Sequence, residues 1–238
     1  MRSPIFIQIR DDLKKRIEDG EFKNGSRLPS ERELSEEYQV SRMTLRQALN
    51  TLVTDGILEK RTGSGSYVKE KPVTENLRGV TSFSQLMIQS GITASTQFIS
   101  YKREKPTPTI IKALKLEANE EIIILERLRL GDGEPIAYEI AFLPERIVGK
   151  IKTEEFRKSL YQALENHGYP VSNAKAVQDF NATIADRKVA EILGIKVGDP
   201  ILYLTQITSN PSQRPFEFVR TYYVGTRYHI HLEQNGFK

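Results

Sequence analysis

The sequence predicts an α+β chain in two parts: a small helical head closed by a β-hairpin, then a larger, mostly antiparallel sheet with flanking helices. Three features point to it. Leu28 to Val68 reads as two short helices followed by a hairpin with a Gly-rich tip. Residues 70–79, EKPVTENLRG, mix proline and charge with few apolar groups, as a linker does. Beyond about residue 95, period-two alternation returns between short helical patterns, which favours antiparallel pairing.

The head opens at Ser3-Pro4, where proline suits a first helical position. Ile5, Ile9, Leu13 and Ile17 repeat every four residues and Gly20 ends the helix. In LPSERELSEEY, Ser30 stands three residues before Glu33, the spacing of a capping box. Leu34 and Tyr38 then share one side. Ser41 can cap the next helix, whose Leu45, Ala48, Leu49, Leu52 and Val53 form a buried stripe that Gly56 terminates.

The opposite face of that helix carries Arg42, Met43, Thr44, Arg46, Gln47 and Asn50. Such faces are ordinarily only solvated. The hairpin that follows, ILEKRTGSGSYV, changes the weighing, because a basic hairpin behind a helix-turn-helix is a wing. Arg with Asn or Gln can meet base edges through paired hydrogen bonds, and the start of a second helix is the part that enters a major groove. Between Gln39 and Lys69 five basic residues face two acidic ones, a local +3 within a chain of net charge +4. The acids of the first 38 residues are expected to lie away from the groove.

Residues 4–68 resemble the winged-helix DNA-binding domain of the GntR family of bacterial transcription regulators. LPSER, SR-x-T-x-R-x-AL and G-x-G-x-x-V occur in the family's order and spacing. The resemblance puts DNA contacts on Arg32, Arg42, Thr44, Arg46 and Gly65, beside Met43 on the exposed helix face. One departure is Ser64, where the family often has a basic residue at the wing tip.

In the second part, Ser82 or Ser84 can cap a helix that carries Leu86 and Met87 and stops at Gly91. Strands are expected over Ser95–Lys102, Ile122–Leu130, Pro135–Phe142, Asn173–Ala182, Ile201–Ser209 and Phe216–Tyr223. Helices are expected over Pro108–Leu114, Thr153–His167 and Ile184–Leu193. The domains are thus 1–69 for the head, 70–79 for the linker and 80–238 for the remainder.

Arg127 and Arg129 share one strand face, where two guanidiniums can hold a carboxylate or phosphate. The alternative is a solvated face with cross-strand pairs to Glu126, Glu139 or Glu217. The capped helix start near Ser82, Phe83 and Ser84 is a second feature that favours anions. Asp132-Gly133 signals a tight hairpin. A plain two-residue turn there pairs Arg129 with Ile136 and Arg127 with Tyr138, which sends Glu139 to the opposite face; a bulge would bring it back.

SFSQLMIQSG, ERLRLGDGEPIAYEIAFLP, SLYQALENHGYP and PFEFVRTYYVGTRYHIH resemble the effector-binding (UTRA) domain of the HutC-type branch of GntR regulators, whose fold is similar to chorismate lyase. The resemblance implies effector contacts at Phe83, Ser84, Arg127, Arg129, Glu139, Ser159, Tyr161, Glu217 and Tyr223. It further implies a homodimer on a palindromic operator, released by a small anionic effector, with a sugar phosphate preferred.

Composition limits the alternatives. There is no cysteine among the 238 residues, which excludes disulfides and thiolate chemistry and fits a reducing cytoplasm. No apolar run approaches the ~20 residues a membrane span needs, and the N-terminus lacks a signal-peptide pattern. The three histidines, His167, His229 and His231, have no evident third partner for a metal, and no cofactor is expected. Two rivals stay open: an enzyme of chorismate-lyase-like fold with a nucleic-acid-binding head, and a nonspecific nucleic-acid-binding module.

Overall fold

The computed structural model describes residues 3–69, 72–76, 81–117, 119–171 and 173–233. The chain forms two compact units, residues 1–71 and 72–238.

In the first unit α1 is Ile5–Glu18, α2 Glu31–Glu37 and α3 Arg42–Thr54, followed by β1 Leu58–Arg61 and β2 Gly65–Val68. Pro4 precedes α1 as its N-cap instead of opening it, because its ψ of 144° is extended. Its carbonyl still accepts from the amides of Ile7 and Gln8. The capping box forms: Ser30 Oγ accepts from the Glu33 amide at 3.2 Å, and Glu33 Oε2 accepts from the Ser30 amide at 2.7 Å. Gln39, at φ 53°, turns the chain between α2 and α3, and Ser41 caps α3 by accepting from the Thr44 amide at 3.1 Å. The expected stripes of α1 and α3 meet in one core, where Leu13, Leu34, Leu45, Ala48 and Leu52 are fully buried.

In the second unit β3 is Val73–Asn76, α4 Phe83–Gln89, β4 Ala94–Glu104 and α5 Pro108–Leu114. Then come β5 Ile122–Gly131, β6 Glu134–Pro144, α6 Glu145–Val148, α7 Thr153–Lys158 and α8 Leu160–Asn166. The last elements are β7 Lys175–Ile184, α9 Arg187–Leu193, β8 Pro200–Ser209, β9 Pro215–Val224 and β10 Tyr228–His231. Six strands make one antiparallel sheet in the order β4-β5-β6-β9-β8-β7.

Three expectations are corrected here. Val73–Asn76, read as linker, is a strand that pairs in parallel with β10. The single helix over Thr153–His167 is broken at Ser159, whose backbone is extended and whose hydroxyl caps α8 by accepting from the Gln162 amide. Ile184 belongs to β7; α9 starts after Asp186, which accepts from the Val189 amide at 2.8 Å.

The hairpin register decides which side chains share a face. Asp132 and Gly133 both have positive φ, the pair of conformations a type I′ turn requires. The tight turn is therefore present, yet Leu130 pairs with Pro135 while Arg129 pairs with Ala137. Ile136 is the extra residue of a bulge. Beyond it Arg127 opposes Glu139, so the carboxylate stands on the arginines' face.

That face also carries Thr221 and Tyr223 from β9, and Leu204 and Gln206 from β8. Helices α6 to α8 cover one end of it, where Leu125, Leu143, Phe156 and Leu164 are fully buried. At the other end α4, β3 and β10 pack through Met87, Val73 and Tyr228. The space between is the cavity described next. Helices α5 and α9 cover the opposite face, over Phe142 and Tyr138 respectively.

Candidate functional site

On the first unit the exposed side of α3 forms a shallow groove lined by Met43, Thr44, Arg46, Gln47 and Asn50. Met43 is 70% exposed. Arg42 is exposed beside it, and Arg32 on α2 reaches only Glu36, at 4.0 Å. Arg46 is not free: its Nη2 donates to Glu31 Oε2 at 2.8 Å and its Nε donates to the same carboxylate at 3.2 Å. Arg46 holds the Glu31 carboxyl below the usual range. An acidic residue of the first helix pair thus sits on the polar face, against the expectation that all of them lie away from it. Lys60 on β1 donates to Asn50 Oδ1 at 2.8 Å, which ties the hairpin to α3. At the hairpin tip Gly65 has φ 115°, and a Cβ there would meet Arg27 Nε at 3.2 Å. Ser64 shares a 2.6 Å hydrogen bond with the Tyr67 hydroxyl.

On the second unit, a cavity of about 70 Å³ lies between α4 and α8 over the sheet. That is room for several waters or the polar part of a small ligand. Every expected effector residue lines it except Ser84. Ser84 lies between Phe83 and Leu86, the two α4 residues that line the cavity, and is not itself among the lining residues. Ser82 caps α4 through a second capping box, with Gln85.

Arg127 and Arg129 are 3% and 4% exposed, so the solvated-face alternative falls. Arg127 donates to Glu139, and among the described residues its Nε and Nη1 have no hydrogen-bond partner; neither has Nε of Arg129. The Arg129 guanidinium lies over the Phe83 ring at 4.5 Å. Burial, with the Arg127 charge beside it, pushes the Arg129 pKa down to about 10. For Glu139 burial acts upward, but the two arginines outweigh it and hold the carboxyl below its usual range. Unsatisfied, desolvated guanidinium donors are costly, and an oxyanion with several lone pairs would satisfy them.

The other end of the cavity is a hydrogen-bond network built around Glu217. Tyr161 donates to Glu217 Oε2 at 3.0 Å and accepts from Gln206 Nε2 at 2.8 Å. Thr208 donates to Glu217 Oε2 at 2.7 Å, and Gln178 donates to Gln206 Oε1 at 2.8 Å. Burial raises the Glu217 pKa to about 7 against the downward pull of Thr208. Tyr161 and Tyr223 are likewise pushed up by burial, so both keep their protons. Sequence reasoning missed Gln178, Gln206, Thr208 and Glu75. Gln206 and Thr208 left a signal, polar residues two apart on the face that Leu204 and Leu202 make apolar; Glu75, in what reads as a linker, left none.

His167 pairs with Glu155 at 3.2 Å, and among the described residues no cluster of three His, Asp or Glu could hold a metal ion. No described helix is long and apolar enough to cross a membrane.

A helix-turn-helix with an exposed basic groove and a hairpin behind it defines a DNA-binding transcription regulator. Comparison with known proteins gives its kind. Residues 7–68 match the model for bacterial regulatory proteins of the gntR family, and residues 89–229 match the UTRA domain. The chain is 34% identical over 226 residues to the HTH-type transcriptional repressor NagR of Bacillus subtilis, covering 94% of this chain and 92% of that protein. It is 27% identical over 217 residues to the mannosyl-D-glycerate transport/metabolism system repressor MngR of Escherichia coli, covering 91% and 90%. The crystal structure of PhnF from Mycobacterium smegmatis superposes with a TM-score of 0.71 at 25% identity, over 96% of this chain and 99% of that one. The chain belongs to the GntR family and carries a UTRA domain behind its DNA-binding head. It is a regulator, as its relatives are, and the enzyme and nonspecific-module readings are set aside.

Proposed function

We propose that the protein is a cytoplasmic repressor that leaves a palindromic operator when a small anionic metabolite, a sugar phosphate by preference, fills the arginine-lined cavity. In this reading residues 1–69 bind DNA and residues 80–238 bind the effector and dimerise. Arg32, Arg42, Met43, Thr44, Arg46 and Gly65 contact DNA. Phe83, Arg127, Arg129, Glu139, Ser159, Tyr161, Glu217 and Tyr223 contact the effector, with Ser84 supporting the start of α4. A homodimer fits because two-fold protein symmetry matches two operator half-sites.

The observation that carries the effector reading is the set of three buried guanidinium nitrogens on Arg127 and Arg129 that have no hydrogen-bond partner among the described residues. Glu139 answers one of the two charges, so a neutral ligand leaves the other uncompensated, whereas an oxyanion meets it and the free donors together. The polar network around Glu217 offers acceptors and donors of the kind sugar hydroxyls use. NagR is named a repressor and MngR a repressor of a sugar-derivative system, which supports both halves of the reading. Release requires that the effector prefer one arrangement of the dimer over the other, since equal affinity for both shifts nothing.

A thermal-shift screen of phosphorylated sugars and small carboxylates tests it. A true effector at roughly 100 times its dissociation constant adds about 2.7 kcal/mol of stability. The hit should then lift DNase protection from a two-fold symmetric site. Protection that persists with the cavity saturated would refute release, and a screen in which only neutral compounds bind would refute the anion reading.

A further inference from the structure

We propose that Glu75 of β3 is a ligand-reading residue: its carboxyl, fixed by Tyr228, takes a hydrogen-bond donor of the molecule that fills the arginine-lined cavity, making β3 part of the effector site. The proposal rests on the effector reading of that cavity and adds a residue on the first strand after the DNA-binding unit.

Glu75 is 7% exposed, lines the cavity and lies on the short parallel β3–β10 pair. The Tyr228 hydroxyl donates to one carboxylate oxygen; among the described residues the other oxygen has no hydrogen-bond partner, and no basic side chain pairs with the group. Tyr228 is fully buried and its ring stacks on Tyr223 with centroids 3.7 Å apart. Tyr223 in turn pairs across the sheet with Ala137, the register partner of Arg129. The carboxyl is thereby held on the cavity wall by a stacked aromatic pair, whose Tyr223 stands on the arginines' strand face. A buried carboxylate without a cation is costly, and burial alone raises its pKa to about 7. Such a group gives the fold little, since Tyr228 needs only one acceptor. Next to an anion held by the arginines it repels a second negative charge and attracts a hydroxyl or an ammonium. It therefore selects a molecule that carries a donor close to its anionic group.

Isothermal calorimetry on the full-length protein with inorganic phosphate, glucose 6-phosphate and glucosamine 6-phosphate tests this. The wild type should bind at least one hexose phosphate roughly tenfold or more tighter than phosphate, the ratio expected of one charge-assisted hydrogen bond. Glu75→Gln keeps the shape and an acceptor for Tyr228, and should cut that ratio severalfold while phosphate affinity holds and the melting temperature does not fall. Glu75→Ala should cut it further. A ratio that survives Glu75→Gln, or hexose phosphates that never outbind phosphate in the wild type, overturns the assignment. Phosphate binding that survives Arg129→Ala fails the effector reading instead, whatever Glu75 does.

Discussion

At the scale of single residues, the most informative side chain is Arg129. Its guanidinium is buried with an unpaired Nε and a like charge beside it, so in the empty protein it works against folding. Replacing a poorly compensated buried charge by an apolar chain of similar volume stabilises other proteins by about 1–4 kcal/mol. Arg129→Met should accordingly raise the thermal midpoint of the ligand-free protein and abolish the stabilisation given by anions. A lower midpoint, with anion response intact, would mean that the arginine serves the fold. A second residue-scale prediction concerns Glu31. It occupies Arg46 on the exposed polar face of α3, so Glu31→Gln frees one cation. Binding to random duplex DNA should strengthen, and the slope of log affinity against log salt should steepen by roughly 0.9 in magnitude, one phosphate's worth. An unchanged slope would show that Arg46 is already disengaged when DNA is bound.

At the scale of elements, the bulge at Ile136 does the most. It converts a hairpin that would place Glu139 opposite the arginines into one that puts the three together, and Gly131 makes room for it. A Cβ on Gly131 would stand 2.8 Å from Ile92 Cγ2 and 3.2 Å from Ile136 Cγ1. Gly131→Ala should cost about 1–3 kcal/mol through overpacking and weaken effector binding with it; denaturant midpoints and anion titrations check both. Ser159 is the other hinge of the site, since it breaks α7 from α8 and caps the latter. Ser159→Ala should cost roughly 0.5–2 kcal/mol, and Ser159→Asn should recover most of it. Much of this was legible in the chain: the capping box at Ser30, the stripe from Leu45 to Val53, the Asp132-Gly133 turn and the Arg127/Arg129 alternation are local patterns. What was not legible depends on partners far away in sequence. The bulge depends on packing of Ile92 and Met87, the break at Ser159 on the burial of Phe156 and Leu160, and β3 on a strand that appears only at Tyr228.

At the scale of the whole molecule, the cavity makes the protein's stability sensitive to pH. Glu75 and Glu217 both have folded-state pKa values raised to about 7 by burial, against an ordinary value of 4.5. The folded state then binds more protons than the unfolded one between those values. The stabilisation is fully present below about 4.5 and fades as pH rises through 7. Each group contributes at most roughly 3 kcal/mol of this change. Melting temperatures should thus decline between about pH 5 and pH 8, and Glu75→Gln with Glu217→Gln should flatten the profile. A profile equally steep in the double variant would assign the effect elsewhere.

The parallel pairing of β3 with β10 has a consequence during synthesis. All the residues of the head's core lie between Ile9 and Val68, so that unit can close while most of the chain is still on the ribosome. Glu75, by contrast, waits for a tyrosine 153 positions downstream. A product that stops ahead of Tyr228 therefore keeps every core residue of the head while Glu75 loses its hydrogen-bond donor, and whatever DNA binding such a truncated protein retains should be insensitive to anions in a gel-shift titration.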